Sequence, residues 1–247
     1  ETFWQMLARG FGMKVNADAF EEMAKSLSVN ILAKHKNQIH QLEALLLGQA
    51  GLLQSNFEDS YAVMLQKEYQ FLSKKYTLKT INKKPDFLRM RPYNFPTIRL
   101  AQLAMLIHQS SHLFSKIKTA KNVNEIFQWF DIKANDFWNY HFTLTDENSF
   151  KPKQTGKVFV QHIIINTIVP VLFTYGLVRN EHAWKEKAIN WLMQSQPEEN
   201  VITKQWRLFR IENKNAFDSQ ALIHLKNNYC NYKRCLDCAV GTKLLRE

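Results

Sequence analysis

Apolar residues recur along most of this chain at steps of three and four, the period of one face of an α-helix. Phe3, Met6 and Leu7 open the pattern, and Phe20, Met23, Ala24 and Leu27 repeat it after Asn16, which stands where an N-cap is expected. Ile39, Leu42, Leu45 and Leu46 form the next face. Tyr61, Leu65, Tyr69, Leu72 and Tyr76 then hold the register for over four turns. Leu100, Leu103, Ala104 and Ile107 follow Pro96, which suits the first turn of a helix. Helical patterns also cover residues 123–130, 158–175, 183–193, 202–209 and 216–229, and Pro170 should kink or break the second of these. Only His141–Thr145 alternates as a short strand would, with no clear partner. Loops are expected near 77–86, 145–155 and 195–200. The fold expected is all-α, an irregular bundle of about ten helices in one domain spanning residues 1–247.

Composition narrows this further. With 247 residues, 45% of them hydrophobic, the chain can bury a sizeable core. Seven glycines and six prolines are too few for a turn-rich β-sandwich or a glycine-dependent nucleotide fold. The longest apolar run, Ile163 to Tyr175, contains Asn166, Thr167 and Pro170 and falls short of the roughly 20 residues of a membrane span, so it reads as a buried helix and no membrane is expected. The chain begins at Glu1, already inside a helical pattern, so we expect a C-terminal fragment of a longer protein. No secretory signal is seen, and three clustered cysteines make a poor disulfide scaffold, so a cytoplasmic location is expected.

Charge adds a candidate binding region. The chain carries a net +11, and residues 66–91 alone hold eight basic side chains against Glu68 and Asp86. Lys74, Lys75, Lys79, Lys83, Lys84, Arg89 and Arg91 could face a nucleic-acid backbone, because each cation that displaces condensed counterions gains affinity. The interleaved Tyr69, Phe71, Tyr76 and Phe87 could stack on bases or simply belong to the core. Just beyond, Arg99 and Gln102 lie three apart on one helix face after a Pro-Tyr-Asn-Phe-Pro turn. With Arg91 they could hold an anion, while the plainer alternative has Asn94 capping the helix and the arginines serving loop carbonyls.

Cys230, Cys235 and Cys238 are all the cysteines present, set as C-x4-C-x2-C. Three thiolates are one ligand short of a tetrahedral site. They are open to three readings: small packing residues, a zinc site with His224 as the nearest imidazole, or an iron–sulfur site with spacing like that of plant-type ferredoxins and a distant fourth ligand. His108 and His112 have the i, i+4 spacing of a helical chelate but no third ligand. Pro85-Asp86 and Glu212-Asn213-Lys214 spell a nuclease motif only formally, being 126 residues apart and outside any strand. No Walker loop, nucleophile elbow or dinucleotide fingerprint is present.

Several stretches carry a resemblance. They include Leu32-Ala33-Lys34-His35-Lys36, Glu43-Ala44-Leu45-Leu46-Leu47-Gly48-Gln49-Ala50-Gly51 and Arg89 through Gln102, then Ser111-His112-Leu113-Phe114-Ser115 and Asn166-Thr167-Ile168-Val169-Pro170. The last are Asp218-Ser219-Gln220-Ala221-Leu222 and the cysteine tail. From end to end the chain resembles the C-terminal portion of the bacterial proteins grouped as domain of unknown function 2851. The resemblance implies an upstream region similar to the PD-(D/E)xK nuclease core. It also implies, by analogy with related nucleases of different spacing, a cluster stapled by one upstream and three C-terminal cysteines.

Three functions are weighed. The leading one is a non-catalytic helical accessory module of a nuclease-like protein, with DNA or RNA and its own upstream domain as partners and Lys74, Lys75, Lys79, Lys83, Lys84, Arg89, Arg91 and Arg99 as phosphate contacts. The alternative is a scaffold with no nucleic-acid role. A third is an enzyme in which Arg91, Arg99 and Gln102 clamp a small anion.

Overall fold

The computed structural model describes residues 1–246, with side chains through Lys243. It is all-α. Among the described residues the only β pairings are two isolated bridges, Lys133 with Gln154 and His141 with Glu147. His141–Thr145 therefore forms no strand, for the reason its sequence hinted at: no second alternating segment exists to pair with it.

The chain forms two compact units, residues 1–168 and 169–247. In the first, α1 (Thr2–Phe11) packs on α2 (Met13–Ser26), and the Trp4 indole donates to the carbonyls of Ala24 (3.1 Å) and Leu27 (2.9 Å). The short α3 (Val29–Lys34) leads to α4 (Ile39–Gln49), whose residues Leu42 to Gln49 are all buried. This helix is apolar nearly all round, as a central helix must be. It packs on α5 (Ser60–Tyr76) and on α6 (Pro96–Gln109). Two short helices, α7 (Leu113–Thr119) and α8 (Val123–Trp129), precede α9 (Lys157–Ile163).

Local chemistry sets several boundaries. Asp59 caps α5, its side chain accepting from the backbone N–H of Tyr61 (2.8 Å) and Ala62 (3.1 Å). Asp59→Ala is expected to destabilise the protein by about 1 kcal/mol in urea unfolding, and no change would mean the helix start is held by packing alone. Asn16 is not a cap. It lies inside α2, buried, and grips a distant backbone, because tertiary contact outbid the local capping bond.

Pro170 does not break the run, which continues as helix from Lys157 to Arg179. A π-turn, Ile164–Ile168, widens the helix just before it, and α-helix resumes at Val169. Pro170 follows directly on that turn, where the widened backbone has already left the regular α hydrogen-bond pattern. The Asn166 amide donates to the His162 carbonyl (3.1 Å) within that turn. The run Lys157–Arg179, which contains an 18-residue window of mean hydropathy 1.6, is long and apolar enough to cross a membrane by length and composition, and half of that window is buried inside the protein.

The second unit holds α10 (Val169–Arg179), α11 (His182–Gln194), α12 (Val201–Leu208), α13 (Ala216–Asn228) and α14 (Ala239–Arg246). α11 packs on α10 and α13, with Trp191 and Ala188 buried. Asn200 and Thr203 cap α12 reciprocally, side chain to backbone N–H in both directions at 3.0 Å.

Candidate nucleic-acid interface

The cationic segment starts at the end of α5, where Lys74 and Lys75 occupy the last turn and favour the negative end of the helix dipole. Thr77, with φ 53°, turns the chain out of the helix, and its neighbour Leu78 donates back to the Ser73 carbonyl (2.9 Å). The loop that follows is irregular but firmly tied. Ile81 N–H donates to the Gln49 carbonyl (3.1 Å), and Gln49 Nε2 in turn donates to the Lys79 carbonyl. Asn82 N–H reaches Glu22 Oε1 (3.2 Å). Asn16 clamps Asp86 from both sides, donating to its carbonyl (2.9 Å) and accepting from its N–H (2.7 Å). Phe87 meets Phe95 edge-on at 5.2 Å.

These ties bury Ile81 and Pro85 and leave Lys79, Lys83, Lys84, Arg89 and Arg91 exposed, with Leu88 beside them. Lys83 pairs with Asp18 (3.2 Å), an exposed carboxylate held below its usual range first by Arg9 and then by Lys83. Among the described residues, Lys74, Lys75, Lys79, Lys84, Arg89 and Arg91 are in no ion pair. Of the interleaved aromatics, only Phe71 is exposed, with the Lys75 ammonium 5.8 Å from its ring. Tyr69 hydrogen-bonds Gln49 Oε1 (3.0 Å), and Tyr76 hydrogen-bonds His35 (2.9 Å), so both are spent on the fold.

Arg99 and Gln102 depart from expectation. Both are buried, Arg99 at 6% exposure, so neither belongs to the exposed cationic segment. The guanidinium lies 3.6 Å from the centre of the Phe159 ring and donates to Gln102 Oε1 (2.8 Å) and Asn94 Oδ1 (2.6 Å). Asn94 thus serves the arginine rather than capping α6. Burial lowers the Arg99 pKa to about 10, which still leaves it charged. Gln102 Nε2 donates to the Lys153 carbonyl (3.1 Å), and the buried Lys153 ammonium donates to the Lys151 carbonyl (2.7 Å) over the Phe142 ring. Burial, and then the charge of Lys151, lowers the Lys153 pKa. Arg91 is exposed, so Arg91, Arg99 and Gln102 do not form one clamp.

A second buried charge site was not singled out by the sequence. Glu43 is fully buried with three neutral donors: Tyr61 Oη (2.8 Å), Asn135 Nδ2 (2.6 Å) and Trp138 Nε1 (3.0 Å). Burial outweighs those hydrogen bonds and raises its pKa to about 7. The only signal in the sequence was a lone acid inside an apolar run, Leu42 to Leu47.

The remaining candidates disperse. His108 hydrogen-bonds the Lys36 carbonyl (2.7 Å), while His112 lies past the end of α6 with φ 51°, so the pair does not share a helix. Glu212 pairs with Lys214 (2.5 Å) beside a groove of about 340 Å³, and neither Asp86 nor Glu212 lies in a strand, so the formal nuclease motif lacks the paired strands its chemistry needs. Cys230 begins a 3-10 turn (residues 230–232), and Cys235 and Cys238 are the first and last residues of a β-turn that leads into α14. Cys230 and Cys235 are exposed, Cys238 is 8% exposed, and all three are free. His224 is on α13, where the Asn228 amide contacts its Nδ1 (2.9 Å). Among the described residues no group of three or more His, Cys, Asp or Glu side chains converges as metal ligands would, so the set Cys230, Cys235, Cys238 and His224 is not brought together. The left-handed Lys233, φ 54°, turns the chain between the first cysteine and the other two.

A family model described as "Protein of unknown function (DUF2851)" matches residues 1–201. That span covers the whole cationic segment and the buried Arg99 and Glu43 sites, and stops before the cysteine tail. No curated protein and no solved structure matches the chain.

Proposed function

Given that the chain belongs to the DUF2851 family, whose description carries no activity, we propose that it is a helical binding module that grips a nucleic-acid backbone and is not catalytic by itself. The observation that carries this reading is the segment 74–91, in which six exposed cations have no ion-pair partner while the backbone beneath them is pinned by Gln49, Glu22 and Asn16. A pinned loop presents its charges with little further ordering on binding, and unpaired cations can exchange condensed counterions for phosphate contacts. Exposed Phe71 adds one stacking surface.

Fluorescence anisotropy with labelled single- and double-stranded DNA and with RNA tests this. Lys79→Ala/Lys83→Ala/Lys84→Ala is expected to weaken binding and to reduce the slope of log K against log salt by about 2 to 3, one contact at a time. Retention that ignores salt, or no retention at about 50 mM salt, would overturn the reading.

A scaffold function is favoured by one observation in the second unit. Leu208 and Phe209, at the end of α12, are 83% and 74% exposed next to the groove lined by Arg207, Arg210 and Ile211. Adjacent large apolar side chains this exposed suit protein contact. Leu208→Ser/Phe209→Ser should raise solubility and leave DNA affinity unaltered if the two surfaces act independently.

A further inference from the structure

We propose that Cys235 and Cys238 form a redox-active dithiol that closes reversibly to a disulfide by exchange with a glutathione-type disulfide. The two residues are the first and last of a β-turn, in which Cys238 N–H donates to the Cys235 carbonyl (3.3 Å). A turn of this kind brings its end Cα atoms within about 7 Å, and a disulfide needs roughly 4.4 to 6.8 Å. The turn thus holds the two backbones close to the span from which a bridge can form, and the side chains must rotate toward each other to close it.

The turn is fixed from beneath by α14. Thr242 N–H donates to the Cys238 carbonyl (2.8 Å), and Thr242 Oγ1 donates to the Leu236 carbonyl (3.0 Å). Gly241 is essential to this approach, because a Cβ there would lie 2.3 Å from the Cys235 carbonyl oxygen. The two thiols are unequal in access. Cys235 is exposed and can meet an external sulfur, while Cys238 is nearly covered and can only resolve the intermediate. Leu236, 80% exposed, gives the open thiol an apolar rim on which a partner can rest. Cys230 stands apart on its own turn, beyond the left-handed Lys233.

The exchange balances without any other oxidant. The Cys235 thiolate attacks one sulfur of the external disulfide, forming a mixed disulfide and expelling one thiolate, which takes up a proton. The Cys238 thiolate then attacks the Cys235 sulfur, closing the intramolecular bridge and expelling the second thiolate. One external disulfide is reduced to two thiols as the protein dithiol is oxidised.

The test equilibrates the full chain in glutathione buffers of graded ratio, quenches with acid, alkylates and maps the peptides by mass spectrometry. The expected result is loss of two alkylatable thiols, a Cys235–Cys238 bridge and an unmodified Cys230. Cys230→Ala should behave identically, and Cys238→Ser should stop at a glutathione adduct on Cys235. The exchange constant should exceed that of the urea-denatured chain by at least about tenfold, a potential difference of about 30 mV. Four outcomes would each overturn the proposal: a bridge that uses Cys230, adducts spread over all three thiols, no oxidation at any ratio, or thiols that react only after a chelator strips a metal.

Discussion

Gly48→Ala is expected to destabilise the protein by about 3 kcal/mol or more, although alanine is the better helix former by about 1 kcal/mol. Gly48 lies in α4, and the Tyr69 ring of α5 rests directly on its backbone. A Cβ there would come within 2.1 Å of Tyr69 Cγ and 2.2 Å of Cδ2, distances that real contacts do not reach. The ring is not free to retreat, because its hydroxyl donates to Gln49 Oε1 (3.0 Å) and contacts Thr80 Oγ1 (3.2 Å). Gln49 is itself buried and holds the Lys79 carbonyl and Ser26 Oγ (2.8 Å). The strain therefore passes from the helix pair into the cationic loop, and DNA affinity should fall together with stability. Urea unfolding decides it. A double-mutant cycle sharpens the result: in a Tyr69→Ala background the added methyl should cost less than about 1 kcal/mol, because the obstructing ring is gone. A loss below 1 kcal/mol in the wild-type background would mean that the two helices separate easily.

Glu43 makes stability fall as pH rises, opposite to the usual behaviour of a salt-bridged carboxylate. In the unfolded chain this group titrates near 4.5, and in the folded chain near 7. Below about pH 4.5 both states hold the proton and the full stability is present. Between 4.5 and 7 the unfolded state releases its proton while the folded state keeps it, so stability is lost across that window and levels off above it. A separation of this size corresponds to about 3 kcal/mol in all. Glu43→Gln should remove the slope. The amide oxygen can still accept from Asn135 and Trp138, but the Tyr61 hydroxyl loses its acceptor, at a cost of about 1 kcal/mol. The variant should thus be less stable than wild type at pH 4.5 and more stable at pH 8. Parallel stability curves for the two proteins would show that Glu43 is ionised in the fold through a partner other than its three neutral donors.

Much of this architecture could be read from the sequence, because a helix that buries one face must repeat its apolar residues every three to four positions. Residues 39–49, 60–76, 96–109 and 182–194 follow that rule and form helices close to the expected limits. The rule works less well for short elements. Val29–Lys34 and Leu113–Thr119 span under two turns, too few residues to display a period. The exposure of Lys79, Lys83 and Lys84 was also legible, since an ammonium group stays in water unless a buried partner offsets its desolvation. The resemblance to the DUF2851 family was read from end to end of the chain, and the family model matches residues 1–201, short of Asp218–Leu222 and the cysteine tail.

What the sequence could not determine is where a polar side chain spends its hydrogen bonds. Asn16 could cap a helix or hold a loop 70 residues away, and the sequence contains both options. Arg99 carries the same charge as Arg91, yet one is buried on Phe159 and the other is exposed. Tyr69 and Phe71 lie two positions apart in one basic stretch, and the packing against Gly48 separates the half-buried ring from the exposed one. Period and composition are properties of the local chain and set its helices, their apolar faces and its net charge. Burial of a particular polar group depends on residues brought together by folding, so only the tertiary structure decides it.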